Sequence, residues 1–186
     1  MADGDAGRTC TCAGRGDGII PNSKKENNSL VKIATFDEIT GEFQERVNKA
    51  VWCNVATIDA KGRPRSRILH PIWQGEIGWI TTRRGTPKER HLQEHPYVSL
   101  AYIADVVKPV YVDCKAEWIE DLDIKQDIWQ LLQNTPPPLG FDPAPIYGSV
   151  DHPEFGLLKL TPWRIEVTSV ATVPPERKIW YATLPS

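Results

Sequence analysis

Between Val55 and Ile103 the chain runs VATIDAKGRPRSRILHPIWQGEIGWITTRRGTPKERHLQEHPYVSLAYI, short apolar stretches punctuated by Gly and Pro. This pattern predicts strand, turn, strand, turn, strand, a short helix and a further strand. The same unit concentrates charge: residues 61–90 hold 8 of the 22 Lys and Arg against two acids, Glu76 and Glu89, in a chain of formal net charge −2. Local positive charge on one small β unit suits a compact anion such as a phosphate better than a long polyanion.

Thr86-Pro87-Lys88-Glu89 carries the marks of a helix start: Thr86 as N-cap, Pro87 at the first helical position and Glu89 completing a capping box. Lys88 then meets the positive end of the helix, at a cost of ~0.3–1 kcal/mol that a bound phosphate would reverse. The position fits either a phosphate site or a solvated surface lysine. Arg63, Arg65 and Arg67 alternate in Gly62–Leu69, so in an extended strand all three leave on one face. Their mutual repulsion calls for a shared anion or facing acids. Arg63 equally fits a sheet edge kept soluble by charge; Arg65 and Arg67, which lead into Ile68-Leu69, fit it less well.

Taken in order, these segments resemble the pyridoxamine 5′-phosphate oxidase-like, FMN-binding split barrels. The resemblance covers about Val51 to Thr168. It rests on the hairpin Ala56–Pro64, the strand Arg67-Ile68-Leu69, the pair Trp79-Ile80-Thr81-Thr82 and Thr86-Pro87-Lys88, the passage Leu92–Leu100, and Thr161-Pro162-Trp163-Arg164-Ile165-Glu166. It implies a mostly β domain with flanking helices, a six-stranded antiparallel split barrel, and a homodimer with FMN sites at its interface. Under it, Arg67 and Lys88 hold the FMN phosphate with Arg65 as an auxiliary contact. Thr81, Thr82 and Thr86 lie along the cofactor, the threonine hydroxyls of Thr82 and Thr86 bonding to phosphate or ring, and the backbone of Ile68, Leu69 and His70 lines the ring. Catalytic residues are left unassigned, since a flavin carries the redox chemistry itself.

Departures from the family pattern narrow the substrate. Where the oxidase has a Gln that contacts FMN, this chain has Pro109, without an amide side chain or an N–H. After Ile165-Glu166 it reads Val167-Thr168-Ser169-Val170-Ala171, without the oxidase's substrate-phosphate motif. Oxidation of pyridoxamine phosphate is therefore not expected, and an unidentified small-molecule substrate is. The alternatives are a deazaflavin-coenzyme-dependent reductase of the same fold and a non-enzymatic flavin- or haem-binding protein.

At 186 residues, 40% hydrophobic and 25% charged, the chain suits one core. No apolar run is long enough for a membrane span, and no secretory signal is visible, so the expectation is a cytoplasmic protein with no membrane or nucleic-acid partner. Residues 1–30, rich in Gly, Asp, Asn and Ser, read as a flexible extension before a domain over 31–186. Cys10 and Cys12 lack a second ligand pair at zinc spacing, and no metal site is expected. Cys53 and Cys114 read as small core residues.

A helix is expected from Thr35, with Phe36, Ile39, Phe43, Val47 and Ala50 on one face. Strands are expected over 51–58, 65–73, 77–82, 97–104, 109–120 and 155–168, the last broken near Pro162. A second amphipathic helix is expected over 122–134, begun by a solvated acidic cluster. The proline-rich stretch 134–145 reads as a stiff loop, either over the cofactor or wrapped on the barrel, with Trp129, Phe141 and Tyr147 as packing candidates for a flat ligand. Trp73 and Trp79 are expected nearest the site, and His70 could meet flavin or substrate.

Overall fold

A computed structural model describes residues 29–182. The elements in chain order are β1 (Ser29–Ile33), α1 (Asp37–Ala50), β2 (Cys53–Ile58), β3 (Pro64–Leu69), β4 (Ile72–Gln74), β5 (Ile77–Arg83) and α2 (Pro87–Glu94). They continue with β6 (Tyr97–Tyr102), β7 (Val110–Ile119), α3 (Leu122–Asn134), α4 (Ala144–Tyr147), β8 (Phe155–Ser169) and β9 (Glu176–Tyr181). The strands form one sheet in the order β1-β9-β8-β7-β6-β2-β3, with β5 paired to β8 and β4 to β5.

The 15-residue β8 makes this sheet curl. One edge of β8 pairs with β7 along its length; on the other, Phe155–Leu160 takes β5 and Arg164–Ser169 takes β9. Among the described residues β3 pairs only with β2, and β4 only with β5, so the curl does not close. The result is the expected split barrel.

Its strands number more than the expected six. The expected strand over 65–73 is divided into β3 and β4, because Pro71 cannot donate to a ladder. β8, by contrast, is unbroken. The register shifts between Asp113 and Cys114, leaving Trp163 as the extra residue of a β-bulge beside Pro162, whose missing N–H is harmless there. β1 and β9 were not expected; they pair in parallel, Ser29 with Glu176 through Ile33 with Trp180. β1 thus includes Ser29 and Leu30 of the stretch read as an extension; the rest of that stretch, with Cys10 and Cys12, lies outside the described residues.

The core lies between the inner face of the sheet and α1, which buries Ile39, Phe43 and Val47 against Leu100, Tyr102, Val110, Val112, Ile165 and Val167. Each such side chain contributes ~1.5–3 kcal/mol of burial. Cys53 and Cys114 are core residues, and burial pushes the Cys53 thiol up to about 12, leaving it unreactive at neutral pH. α3 starts where the acidic cluster was noted: the Asp121 carboxylate accepts from the Asp123 and Ile124 N–H groups. Its Ile128 and Leu132 form a second small core with Ile72, Trp79 and Leu157. Among the described residues no helix is long and apolar enough to cross a membrane.

Beyond α3 the chain folds back on itself. Phe141 N–H donates to the Leu132 carbonyl, and a Cβ at Gly140 would stand 1.9 Å from the Thr135 carbonyl oxygen, so only glycine allows this return. It brings Phe141 and α4 over the open side of the barrel.

Candidate functional site

At the split lies a cavity of about 590 Å³. β3 and β5 supply Leu69, Thr81 and Thr82, with His70 just beyond β3; the start of α2 supplies Thr86 and Lys88. The returning loop and α4 contribute Pro138, Phe141, Ile146 and Tyr147, and Trp52 stands ahead of β2.

Lys88 is 8% exposed, and its Nζ donates to Thr82 Oγ1 at 2.6 Å and Thr86 Oγ1 at 3.2 Å. Thr86 occupies the N-cap position, but its hydroxyl is engaged with Lys88 and the Arg83 carbonyl rather than with the helix. Glu89 also departs from the expected box: its carboxylate takes the Gly85 N–H at 2.8 Å and pairs with Arg84 at 2.6 Å.

Neighbouring cations are matched by acids. Arg63 pairs with Asp59 at 2.9 Å, and Arg83 with Glu154. The Arg63 bonds hold the Asp59 carboxyl well below its usual range. No such ion pair forms at Arg65, Arg67 or Lys88 among the described residues. Arg67 Nη1 instead donates to Thr57 Oγ1 at 3.0 Å, and Thr57 lies 3.5 Å from His91 Nδ1. Burial and the Arg67 charge draw the Lys88 ammonium down to about 8, with Glu89 opposing them. Burial and Arg65 likewise lower Arg67. Cations crowded together amid hydroxyls, with no carboxylate in contact with Lys88 or Arg67, are an arrangement suited to an anion.

Of the residues expected at the site, Leu69, His70, Thr81, Thr82, Thr86 and Lys88 line the cavity. Arg67 stands behind them, acting on Lys88 through charge. Arg65 is exposed, and Ile68 is 63% exposed on the opposite face of β3; neither lines the cavity. Phe141 and Tyr147 line it, whereas Trp129 packs on Phe155 with ring centroids 5.1 Å apart. Trp73 and Trp79 are spent elsewhere, donating to Tyr102 Oη and Gln74 Oε1, each at 2.9 Å.

Five participants escaped the sequence: Trp52, Arg83 and Ile146 in the lining, and Thr57 and His91 beside Arg67. Thr57 had a faint signal, a polar residue on the inward face of a strand whose Cys53 and Val55 are core. His91 had none, because its relation to Thr57 is tertiary. The His70 ring lies between Trp52 and Phe141, at centroid distances of 5.0 and 5.5 Å. Burial lowers its pKa, with the Leu139 backbone opposing.

An open barrel with a cavity at its split defines the class: a split-barrel protein with a candidate site between β3, β5 and the loop that covers them. The chain belongs to the pyridoxamine 5′-phosphate oxidase family, whose model matches residues 39–169. Solved structures of similar fold include a protein related to B. subtilis general stress protein 26, of the pyridoxinephosphate oxidase family, from Clostridium acetobutylicum. It is 16% identical, with a TM-score of 0.62 over 78% of this chain and 95% of that one. A pyridoxamine 5′-phosphate oxidase-related, FMN-binding protein from Nostoc punctiforme is 15% identical, with a TM-score of 0.61 over 78% and 91%. A NimC/NimA family protein from Clostridium acetobutylicum is 13% identical, at 0.58 over 75% and 92%. No curated protein matches the sequence.

Proposed function

We propose that the protein binds FMN in this cavity and acts as an oxidoreductase on a small molecule other than pyridoxamine phosphate. The observation that carries this reading is Lys88, a buried lysine held by two threonine hydroxyls, beside Arg67 and with no carboxylate in contact among the described residues. A phosphate there would relieve the repulsion; the Thr82 hydroxyl, which accepts from Lys88, keeps its proton to donate to it, whereas the Thr86 proton goes to the Arg83 carbonyl. The apolar and aromatic walls at Leu69, Phe141 and Tyr147 suit a flat ring. The bound flavin would supply hydride chemistry, while the chain binds it, orients it and limits water. The FMN-binding neighbour from Nostoc supports the cofactor by fold alone.

The test is the visible spectrum of the purified protein and the identity of any chromophore it releases, with an FMN titration if it is colourless. Release or stoichiometric uptake of FMN supports the reading. A protein that ignores FMN and takes a deazaflavin coenzyme overturns the cofactor; one that takes neither overturns the function.

The Lys88 pKa sets a pH dependence. Folded, Lys88 gives up its proton at about 8 rather than 10.5, so between those values the unfolded chain holds more protons. The FMN-free fold therefore gains stability from this group as pH rises through that window. FMN affinity runs the other way, because a phosphate favours the charged lysine. The expected result, read by flavin fluorescence quenching, is a plateau below pH 8 and a fall above it approaching about one log unit in Kd per pH unit.

We also propose that the protein is a homodimer built on the outer face of the sheet. Ile68, Asn54, Ala101 and Tyr111 form a row across β3, β2, β6 and β7. Ile68 is 63% exposed, with Tyr97 and Ile103 also exposed on β6 and at its end. A second copy there would cover this row beside the cavity. Ile68→Glu is expected to shift the sedimentation mass from dimer to monomer; an unchanged dimer would place the interface elsewhere.

A further inference from the structure

The junction between α1 and β2 is strained. Val51, a buried β-branched residue, has φ 60° and ψ −60°, with the Trp52 N–H donating to the Ala50 carbonyl at 2.7 Å. This is a γ-turn in a region that L side chains avoid, and such conformations persist where their surroundings impose them, often beside ligands. The turn leaves Trp52 58% exposed while its ring packs on His70.

His70 is unusual in a second way. A neutral imidazole has one N–H and one bare nitrogen, and we assign the N–H to Nδ1, on the side of the Leu139 backbone that opposes the fall in its pKa. The nitrogen without a partner is Nε2, sealed from solvent in a ring flanked by Trp52 and Phe141. A hidden acceptor without a donor is unfavourable, as is a large aromatic ring left in water. Of the two rings packed on His70, Trp52 is the one left 58% exposed, so its displacement is the motion that opens this imidazole to a partner. Of the two charges lining the cavity, Arg83 is paired with Glu154 and Lys88 stands at the candidate anion site, and neither reaches Nε2.

We propose that Trp52 is a movable cover over His70, and that the uncovered Nε2 accepts a hydrogen bond from the O–H or N–H of an uncharged planar molecule, the second reactant of this cavity. His70 and Trp52 thereby become specificity-determining residues. The proposal rests on the flavin reading only in making that molecule a second reactant; the acceptor and its cover stand without it.

The test uses two probes of one shape, 4-methylphenol, which carries the donor, and 4-methylanisole, which does not. Binding is followed by ligand-observed NMR at neutral pH, with FMN-loaded and FMN-free protein, and FMN affinity is measured separately for each variant. The phenol is expected to bind about tenfold tighter than the ether in both forms, the worth of one hydrogen bond to an otherwise unpartnered buried acceptor. His70→Phe should bring the phenol down to the ether. Trp52→Ala should strengthen the phenol and keep the preference, since it removes the cover and leaves the acceptor.

Equal binding of the probes, or no detectable binding of either, overturns the proposal, as does a preference that survives His70→Phe. Trp52→Ala weakening both probes alike would make Trp52 a fixed wall and overturn the cover. A preference present only without FMN would assign Nε2 to the cofactor's own pocket and overturn the second-reactant subsite. Should the protein bind no FMN at all, the functional reading fails separately, and the FMN-free titrations decide this one.

Discussion

Lys88→Met is expected to weaken FMN binding by about 10- to 150-fold, the worth of a charge-assisted contact of ~1.5–3 kcal/mol, while raising the melting temperature of the FMN-free protein. The two effects share a cause. In the unliganded fold Lys88 is 8% exposed, and its ammonium feels the Arg67 charge and has only hydroxyl partners, so burial costs more than its contacts return. Methionine keeps much of the stem's volume without the charge, and the Thr86 hydroxyl retains the Arg83 carbonyl as a partner. With FMN present, the same charge answers a phosphate. Fluorescence titration and thermal melts without FMN read the two quantities independently. Loss of stability with affinity unchanged would make Lys88 a structural residue and remove the anion site.

Arg67→Met extends the argument to the residue behind the cavity. Its guanidinium touches Thr57 and raises the local potential at Lys88. The expected FMN affinity loss is smaller than for Lys88→Met, and the Lys88 pKa should rise once its neighbour is gone. The fall in affinity with pH should therefore begin above pH 8 in this variant. A pH profile identical to that of the unmodified protein would show that Arg67 does not set the lysine.

What could be read from the chain was whatever local periodicity or spacing encodes. Strand alternation placed β2, β5, β6, β7 and most of β8, and the Thr86-Pro87-Lys88 turn was legible because an N-cap, a proline and a misplaced cation stand together. The hydroxyl of Thr86 was misjudged, since a capping pattern cannot tell whether a lysine from the first turn will claim that oxygen. The family resemblance placed the backbone of Ile68 beside the ring; its side chain, as strand alternation requires, points to the face opposite Arg67 and Leu69. β1 and β9 were illegible because Ser29–Ile33 is short and largely exposed and Glu176-Arg177-Lys178 opens a strand with charge. Their pairing across most of the chain has no local signature. Trp52 was missed because its place over His70 follows from the backbone at Val51, where valine gives no hint of a positive φ.

Glu166→Ala is expected to destabilise the fold by about 3–5 kcal/mol, lowering the melting temperature by on the order of 10 °C. The Glu166 side chain is 6% exposed and accepts from Arg177 Nε at 2.8 Å, Arg177 Nη2 at 3.0 Å and Thr168 Oγ1 at 2.8 Å, with Arg164 paired to it as well. Arg164 also reaches Asp113 at 3.0 Å, so one carboxylate ties β7, β8 and β9 together. Burial alone would raise the Glu166 pKa, but the bonds from Arg177 and Thr168 and the two arginine charges more than offset it and leave it lowered. A carboxylate lowered in this way contributes stability at neutral pH that disappears as pH falls through and below the ordinary glutamate range. Alanine removes the acceptor and leaves Arg164 beside Arg177 with Asp113 as the nearer counter-charge; glutamine keeps part of the bonding and should cost less. FMN affinity should remain within about twofold in both variants, because Glu166 does not line the cavity. Chemical denaturation at pH 7 and at pH 4 measures the outcome: the gap between Glu166→Ala and the unmodified protein should narrow in acid, and a gap independent of pH would assign the loss to packing rather than to the ion network.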